Sequence, residues 1–227
     1  MNTIKLAVFD MAGTTVNENN IVYKTVQKVI NDLGFNVSLN DVLEYGAGKE
    51  KHQAIKDVLQ NCTEANEIEK LATKAFASFK PELEIAYNTN EISTFNGMIP
   101  FFQKLKDNGI KVVLNTGYDS KTANKLLTKL NWNIGKEIDA LFTSDDVKNG
   151  RPHPEMIQKA MAQFKITNAA EVLKAGDSKI DIIEGKNANC GLTIGVLSGA
   201  QTRKQLQDAS PDYILNYLTE LEDILIN

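Results

Sequence analysis

Short, unbroken apolar runs recur along this chain of 227 residues, and stretches with helical spacing separate most of them. The first run, Leu6-Ala7-Val8-Phe9, has no polar position on either face, which is typical of a strand buried on both sides in a parallel sheet. Later runs of the same kind lie at 110–115, 140–143, 172–175, 192–196 and 213–215. Because helices alternate with these strands, the pattern predicts an α/β fold with a doubly wound parallel sheet.

Between Ile21 and Asn90 the spacing is that of helices alone. Apolar residues recur at helical intervals in the first part of this block, at Val22, Val26, Val29, Ile30 and Leu33. Further helices are predicted there at 38–46, 51–59 and 65–87, and in the rest of the chain at 97–106, 120–130, 154–164, after 177, at 201–207 and from 217. We therefore expect an α-helical insert, residues 17–91, within an α/β core domain formed by residues 1–16 and 92–227.

Composition narrows the class of protein only a little. Hydrophobic residues make up 42% of the chain and charged residues 24%, as in ordinary globular proteins, and the formal net charge of -4 argues against a nucleic-acid partner. No apolar run is long enough to span a bilayer, and we expect no signal peptide and no membrane association. Cys62 and Cys190 lack the spacing of metal ligands and are predicted to be free thiols of a cytoplasmic protein.

The first predicted strand ends in an acid, Asp10, at the edge of the sheet where open α/β folds bind ligands. Ala12 and Gly13 are small enough for a tight turn, and the hydroxyl and N–H groups of Thr14 and Thr15 are suited to an anion. An acid after a strand is also common as a simple turn or helix-capping residue. The later strand ends decide between these two interpretations.

Three further loops place polar residues at the same edge. Thr116 and Gly117 follow the second core strand, and Arg151 lies in a loop that contains two prolines. Asp177 and Asp181, four residues apart at the start of a helix, are expected to share one face. Together with Asp10, this acid pair suits a hard cation such as Mg²⁺.

In their order along the chain, these four loops resemble the motifs of the haloacid dehalogenase superfamily. The resemblance covers essentially the whole chain and implies a Rossmann-like core with a helical cap. It implies that Asp10 is the nucleophile and that Mg²⁺ binds Asp10, the carbonyl of Ala12 and Asp177, with Asp181 in support. It also implies that the phosphoryl group is held by the residues of the first three loops, namely Ala12, Gly13, Thr14, Thr116, Gly117 and Arg151.

One residue departs from the phosphatases of this superfamily. They carry a second acid two residues after the nucleophile, where it protonates the leaving oxygen, and this chain has Ala12 there. The segment Asp10-Met11-Ala12-Gly13-Thr14-Thr15 instead resembles the phosphonatase branch, as do Thr116-Gly117-Tyr118 and the Arg151-Pro152 pair. Members of that branch cleave a carbon–phosphorus bond, which implies a small phosphonate such as phosphonoacetaldehyde as the substrate.

The same resemblance extends to the helical insert. In the segment Gly46 to His52, a lysine follows the glycine by three residues and a histidine follows the lysine by three. By analogy with the phosphonatase cap, Lys49 is expected to form a Schiff base with the substrate and His52 to assist proton transfer. The alternatives are that Lys49 only grips the substrate or that it is an exposed charge, and the nearby Lys51 and Lys56 could be mistaken for the working lysine.

Other functions stay open from the sequence. The chain could be a phosphatase or phosphotransferase for small phosphate monoesters such as phosphoglycolate or sugar phosphates, with His52 or water replacing the missing acid. A dehalogenase is less favoured because it would need neither Thr116 and Arg151 nor an acid pair for Mg²⁺. A non-enzymatic phosphoryl-binding protein is less favoured because the chain has all five site residues, Asp10, Thr116, Arg151, Asp177 and Asp181. A monomer or a homodimer is expected.

Overall fold

The computed structural model describes residues 3–226. A six-stranded sheet in the order β5-β4-β1-β6-β7-β8 forms the centre, and every pairing in it is parallel. These strands are β1 (Leu6–Phe9), β4 (Lys111–Asn115), β5 (Ala140–Phe142), β6 (Val172–Gly176), β7 (Leu192–Val196) and β8 (Tyr213–Leu215). The predicted Rossmann-like α/β core is thus confirmed.

Helices connect the strands of the core, and one more follows the last strand. The connecting helices are α5 (Met98–Asp107), α6 (Ser120–Leu130), α7 (Glu155–Gln163), α8 (Lys179–Asn187) and α9 (Arg203–Asp208), and α10 (Glu222–Leu225) comes after β8. Short 3-10 turns lie at Ser144–Asp146, Ala169–Glu171 and Leu218–Leu221. The predicted final helix from Tyr217 is therefore a 3-10 turn followed by a short α-helix, and the other predicted elements differ from the observed ones only at their ends.

Four helices fill the segment between β1 and α5. They are α1 (Ile21–Asn31), α2 (Leu39–Gly46), α3 (Lys51–Cys62) and α4 (Ile68–Thr89), and they pack mainly on one another. A short antiparallel ribbon joins the two ends of this helical segment, with β2 (Val16–Asn17) beside β3 (Ser93–Thr94). The predicted boundary between residues 16 and 17 falls within β2, and the boundary between 91 and 92 lies just before β3.

Strand alternation divides the side chains of β1 between the two faces of the sheet. Ala7 and Phe9 belong to a large apolar cluster that continues into the helical segment, and Leu6 and Val8 belong to a smaller cluster beneath α7. Lys174 of β6 pairs in register with Val8, so both lie on the second face. This face leads to the edge where β1 ends at Asp10.

The longest helix, α4, spans 22 residues, and Glu, Lys and Pro81 interrupt its apolar positions. Within the described residues, no helix combines the length and the apolar character that a membrane crossing requires.

Candidate active site

Asp10 lies directly beyond β1, and a tight turn after it brings the backbone back toward the sheet. The Met11 carbonyl accepts hydrogen bonds from the N–H groups of Thr15 and Val16, at 2.9 and 2.7 Å. Gly13 has φ 77°, and a Cβ there would lie 2.7 Å from Cα of Gly199 and overlap the Asp177 carboxylate. Only glycine fits this turn, which sets the loop of Asp10 against that of Asp177.

Arg151 reaches the Asp10 carboxylate from the loop before α7. Its Nη1 donates to Asp10 Oδ1 at 2.7 Å and to Asp181 Oδ1 at 2.5 Å, and its side chain is only 3% exposed. The Arg151–Pro152 peptide bond is cis. The family resemblance implies that Arg151 holds a phosphoryl group. In the structure it lies between the carboxylates of Asp10 and Asp181.

Asp181 is held on all sides by protein groups. Ser178 Oγ donates to its Oδ2 at 2.6 Å, and Lys174 Nζ lies 2.9 Å from its Oδ1. Burial alone would raise the pKa of Asp181, but the charges of Lys174 and Arg151 hold it below its ordinary value. Asp181 is thus an ionised carboxylate whose oxygens are already occupied.

Asp177 has the opposite electrostatic setting. It is buried at the end of β6, and its Oδ2 accepts a hydrogen bond from the Ala200 N–H at 2.6 Å. Burial and the neighbouring charges of Asp10 and Asp181 raise the pKa of Asp177 well above its ordinary value. Burial also raises the pKa of Asp10, although Arg151 opposes this effect. Asp10 is thus paired with Arg151, whereas Asp177 has no cation within ion-pair distance among the described residues.

The buried charges around this edge do not balance. Oxygen atoms of Asp10, Asp177 and Asp181 lie within 4.8 Å of one another. The buried carboxylates of the cluster are Asp10, Asp177, Asp181 and Glu184, and its buried cations are Arg151 and Lys174. With all four carboxylates ionised, two negative charges are left over, which fits a divalent cation bound through oxygen ligands. The residues present therefore suit Mg²⁺, which the family resemblance implies.

Two buried polar atoms at this edge lack a protein partner. Among the described residues, the buried side-chain atoms without a hydrogen bond are Thr14 Oγ1, Arg151 Nε and Gln201 Nε2. Thr116 is also buried here, at the end of β4, and the N–H group of Tyr118 donates to its hydroxyl at 3.2 Å. Because unpaired buried donors are costly, Thr14 and Arg151 are suited to bind an oxyanion.

We expect Mg²⁺ to stabilise the fold through this cluster. A free Mg²⁺ concentration of about 100 times Kd adds about 2.7 kcal/mol to the free energy of unfolding. For a chain of this length, that raises the unfolding midpoint by roughly 5–10 °C. Thermal unfolding with and without Mg²⁺ measures this rise. It should disappear in Asp177→Asn and persist in Asp208→Asn, since Asp208 is an exposed acid on α9. Equal rises in both variants would show that Mg²⁺ binds elsewhere.

The loop between α2 and α3 covers the cluster. A Cβ at Gly48, which has φ 75°, would lie 3.0 Å from Cβ of Ile180, and the Gly48 N–H donates to Tyr23 Oη at 3.1 Å. A Cβ at Gly117 would lie 3.2 Å from the Lys49 carbonyl and 3.3 Å from Arg151 Nη2. Gly48 and Gly117 thus allow the backbone of the helical segment to close over the core.

Lys49 and His52 are not brought together with the acid cluster. Lys49 Nζ pairs with the carboxylate of Asp57. His52 Nε2 lies 3.5 Å from Thr73 Oγ1, and its ring packs edge-on against Phe76 of α4. Within residues 3–226, no hydrogen bond or ion pair joins either head group to Asp10 or Arg151.

Lys51 is the lysine that points inward. Its side chain is buried, and its Nζ donates to the Lys49 carbonyl at 2.6 Å. The same Nζ lies 5.7 Å from the centre of the Tyr23 ring and 5.5 Å from that of Tyr118. Burial and the charge of Arg151 lower the pKa of Lys51 to about 8. Sequence spacing alone gave no reason to prefer Lys51 over Lys49.

Glu18 completes the polar groups around Lys51. It lies just after β2, is 2% exposed, and accepts a hydrogen bond from the Val22 N–H at 2.9 Å. Burial raises the pKa of Glu18 to about 7, although the charge of Lys51 opposes this rise. A cavity of about 90 Å³ lies next to Lys51 between the helical segment and the core, with Gly117 and Tyr118 in its wall. Lys51 is one of the residues that line this cavity.

Comparisons with known proteins agree with this architecture. A phosphonoacetaldehyde hydrolase of Latilactobacillus sakei subsp. sakei is 26% identical over 99% of this chain and 96% of that protein. The pyrophosphatase PpaX of Bacillus mycoides is 27% identical over 98% and 97%. The crystal structure of a phosphonoacetaldehyde hydrolase-like protein from Oleispira antarctica shares the fold, with a TM-score of 0.83 and 21% identity over 99% of this chain and 92% of that one. Residues 7–195 match a family described as haloacid dehalogenase-like hydrolase, and the chain belongs to that family.

Proposed function

We propose that this protein is a Mg²⁺-dependent hydrolase that cleaves the carbon–phosphorus bond of phosphonoacetaldehyde or a similar small phosphonate. The observation that supports it most is Lys51, a buried amine. Burial and the charge of Arg151 lower its pKa to about 8, and the charge of Asp10 opposes this effect. An amine with a lowered pKa can act as a nucleophile near neutral pH. In this proposal, Lys51 takes the role that the sequence suggested for Lys49.

The need for an amine follows from Ala12. A methyl group cannot protonate a leaving oxygen, so the reaction favoured by this site has a leaving group that needs an electron sink instead of an acid. A carbon leaving group beside a carbonyl meets that condition, since an imine accepts the electron pair of the broken bond. Ala12 and Lys51 thus support the same chemistry.

The reaction balances with water as the only co-reactant. The amine of Lys51 adds to the aldehyde carbon, and loss of water gives a protonated imine. A carboxylate oxygen of Asp10 attacks phosphorus, the carbon–phosphorus bond breaks, and its electron pair forms an enamine. Water then hydrolyses the aspartyl phosphate, while protonation of the enamine at carbon and hydrolysis of the resulting imine release acetaldehyde and restore Lys51.

The other residues bind and orient the phosphoryl group. We assign the metal to Asp10, the carbonyl of Ala12 and Asp177, where Mg²⁺ would offset the negative charge that the nucleophile and the phosphonate share. Thr14, Thr116 and the N–H group of Gly117 are assigned to the phosphoryl oxygens, whereas the Gly13 N–H already donates to the Val16 carbonyl at 2.8 Å. They share this role with Arg151. The loop over the cluster would keep water from the first step.

A phosphatase is the second candidate, and the PpaX relative at 27% identity favours it. In that case small phosphate monoesters such as phosphoglycolate or sugar phosphates, or pyrophosphate, would be the substrates. No acid stands at position 12 to protonate the leaving oxygen, and His52 faces α4. Both observations place this candidate below the phosphonatase.

Phosphate release from a substrate panel separates the two candidates. We expect phosphonoacetaldehyde to be hydrolysed in the presence of Mg²⁺ with kcat/KM at least about 10²-fold above that for phosphoglycolate, glucose phosphates and pyrophosphate, because ester cleavage lacks its general acid. Removal of Mg²⁺ with a chelator should stop turnover. Faster hydrolysis of any ester or of pyrophosphate would overturn the phosphonatase proposal in favour of the phosphatase.

A further inference from the structure

Lys174 is a charged residue in a strand that is otherwise apolar. All residues of β6 are buried, and Lys174 has no exposed surface. Its register places it beside Val8 of β1, on the sheet face that also carries Asn115 at the end of β4. A buried ammonium group persists only where its charge and its hydrogen bonds are satisfied.

Three side chains satisfy Lys174. Its Nζ donates to Asn115 Oδ1 at 2.6 Å, lies 2.9 Å from Asp181 Oδ1, and lies 3.4 Å from Glu184 Oε2. Asn115 Nδ2 in turn donates to both oxygens of Glu184, at 2.8 and 3.0 Å. All four side chains are fully buried. The position of the Lys174 charge is therefore fixed by its three partners.

Space for this lysine depends on Gly185 of α8. A Cβ at Gly185 would lie 2.9 Å from Cβ and 3.2 Å from Cγ of Lys174, so the helix packs directly on the lysine side chain. Such close packing leaves the lysine little freedom to change rotamer.

The oxygen that Lys174 contacts is shared with Arg151. Asp181 Oδ1 accepts from Arg151 Nη1 at 2.5 Å, and the same Nη1 also bonds Asp10 Oδ1 at 2.7 Å. When Arg151 turns toward a phosphoryl group, Asp181 loses one of its two cations. Without Lys174, the same movement of Arg151 would leave a fully buried carboxylate with no cation, and the high cost of that state would keep Arg151 on Asp181.

We propose that Lys174 is a positioning residue that neutralises Asp181 and so leaves the guanidinium of Arg151 free to bind the phosphoryl group. Asn115 and Glu184 hold Lys174 in place for this role. The inference rests on the phosphoryl-binding part of the proposed function and is independent of imine formation at Lys51. Of the two buried cations, Lys174 stays on Asp181 and Arg151 is available to the ligand.

The test measures the binding of inorganic phosphate to the full chain in the presence of Mg²⁺, by calorimetry. In Lys174→Met combined with Glu184→Gln, one charge of each sign is removed, so the buried charge excess is unchanged while the contact to Asp181 is lost. We expect this double variant to bind phosphate at least about tenfold more weakly than the wild type. Lys174→Gln combined with Glu184→Gln is a second variant with the same charge change and a polar side chain at position 174.

The control is Leu173→Ala, the neighbouring position of β6 on the opposite face of the sheet. It should lower the unfolding midpoint by creating a cavity and leave phosphate affinity within about threefold of the wild type. Wild-type affinity in either folded double variant, or equal weakening in Leu173→Ala, would overturn the proposal and make Lys174 a structural residue. A failure of the proposed function would appear separately, as phosphate binding by the wild type without cleavage of phosphonoacetaldehyde.

Discussion

Lys51→Arg should abolish carbon–phosphorus cleavage, with kcat for phosphonoacetaldehyde falling on the order of 10³-fold or more, because arginine keeps the positive charge but forms no imine. In the wild type, borohydride added together with phosphonoacetaldehyde should reduce the imine and leave a stable mass increase on the peptide that carries Lys51. The kcat/KM profile should also rise with pH toward about 8. Burial and Arg151 lower the pKa of Lys51 to that value, and only the free amine reacts.

Lys49→Arg is the matched control. Lys49 lies two residues before Lys51, in the loop that precedes α3, and its Nζ pairs with Asp57, a contact that arginine can keep. The Lys49→Arg enzyme should keep an activity within about threefold of the wild type, because the substitution preserves the charge of a group that does not contact Asp10 or Arg151. Borohydride labelling of Lys49, or a fully active Lys51→Arg enzyme, would contradict the assignment of the imine to Lys51.

The sequence did not reveal which of these two lysines faces the site. The spacing of three residues between Lys49 and His52 suggested a shared helical face, but α3 begins only at Lys51. Glu50 caps this helix by accepting hydrogen bonds from the N–H groups of His52 and Gln53. Lys49 therefore lies outside the helix, where helical spacing does not apply. The helix start at residue 51 was predicted, but only the burial of Lys51 in the structure shows which lysine faces inward.

The core was predictable because its signals are local. Buried parallel strands appear as apolar runs, and Asp10, Thr116 and Asp177 each follow such a run directly. Adjacent parallel strands end at the same edge, so their meeting point follows from the fold class. The ribbon of β2 and β3 escaped prediction, since two-residue strands carry no periodicity. Their pairing depends on chain segments far apart in sequence.

Asp181 and Lys174 illustrate a third case. Spacing placed Asp181 on the face of Asp177, in support of a metal, and the structure ties both of its oxygens to protein donors. A lysine within the apolar run of β6 was a visible signal, but its partners Asn115 and Glu184 come from other elements. Local sequence thus reveals that a residue is unusual, while tertiary structure reveals what satisfies it.

Ala12→Asp should create phosphatase activity in this chain. Ala12 is buried beside the Asp10 turn, two residues after the proposed nucleophile, at the position where superfamily phosphatases carry their general acid. The new carboxyl group would lie near Asp10 and Asp177, whose charges favour its protonated form and hence its ability to donate a proton. General acid catalysis contributes about 10²–10⁴-fold, and we expect kcat/KM for phosphate monoesters to rise within that range.

Ala12→Asn provides the matched control for this gain, because its side chain is nearly the same size and has no acidic proton to donate. The measurement is phosphate release from phosphoglycolate and glucose phosphates, with unfolding midpoints recorded for both variants. The gain should appear in Ala12→Asp alone, while cleavage of phosphonoacetaldehyde falls in both as the larger side chain crowds the nucleophile. If Ala12→Asn gains as much, the effect comes from altered packing. If neither folded variant gains, oxygen leaving groups are limited by something other than the missing acid, and the argument from Ala12 to a carbon leaving group loses its basis.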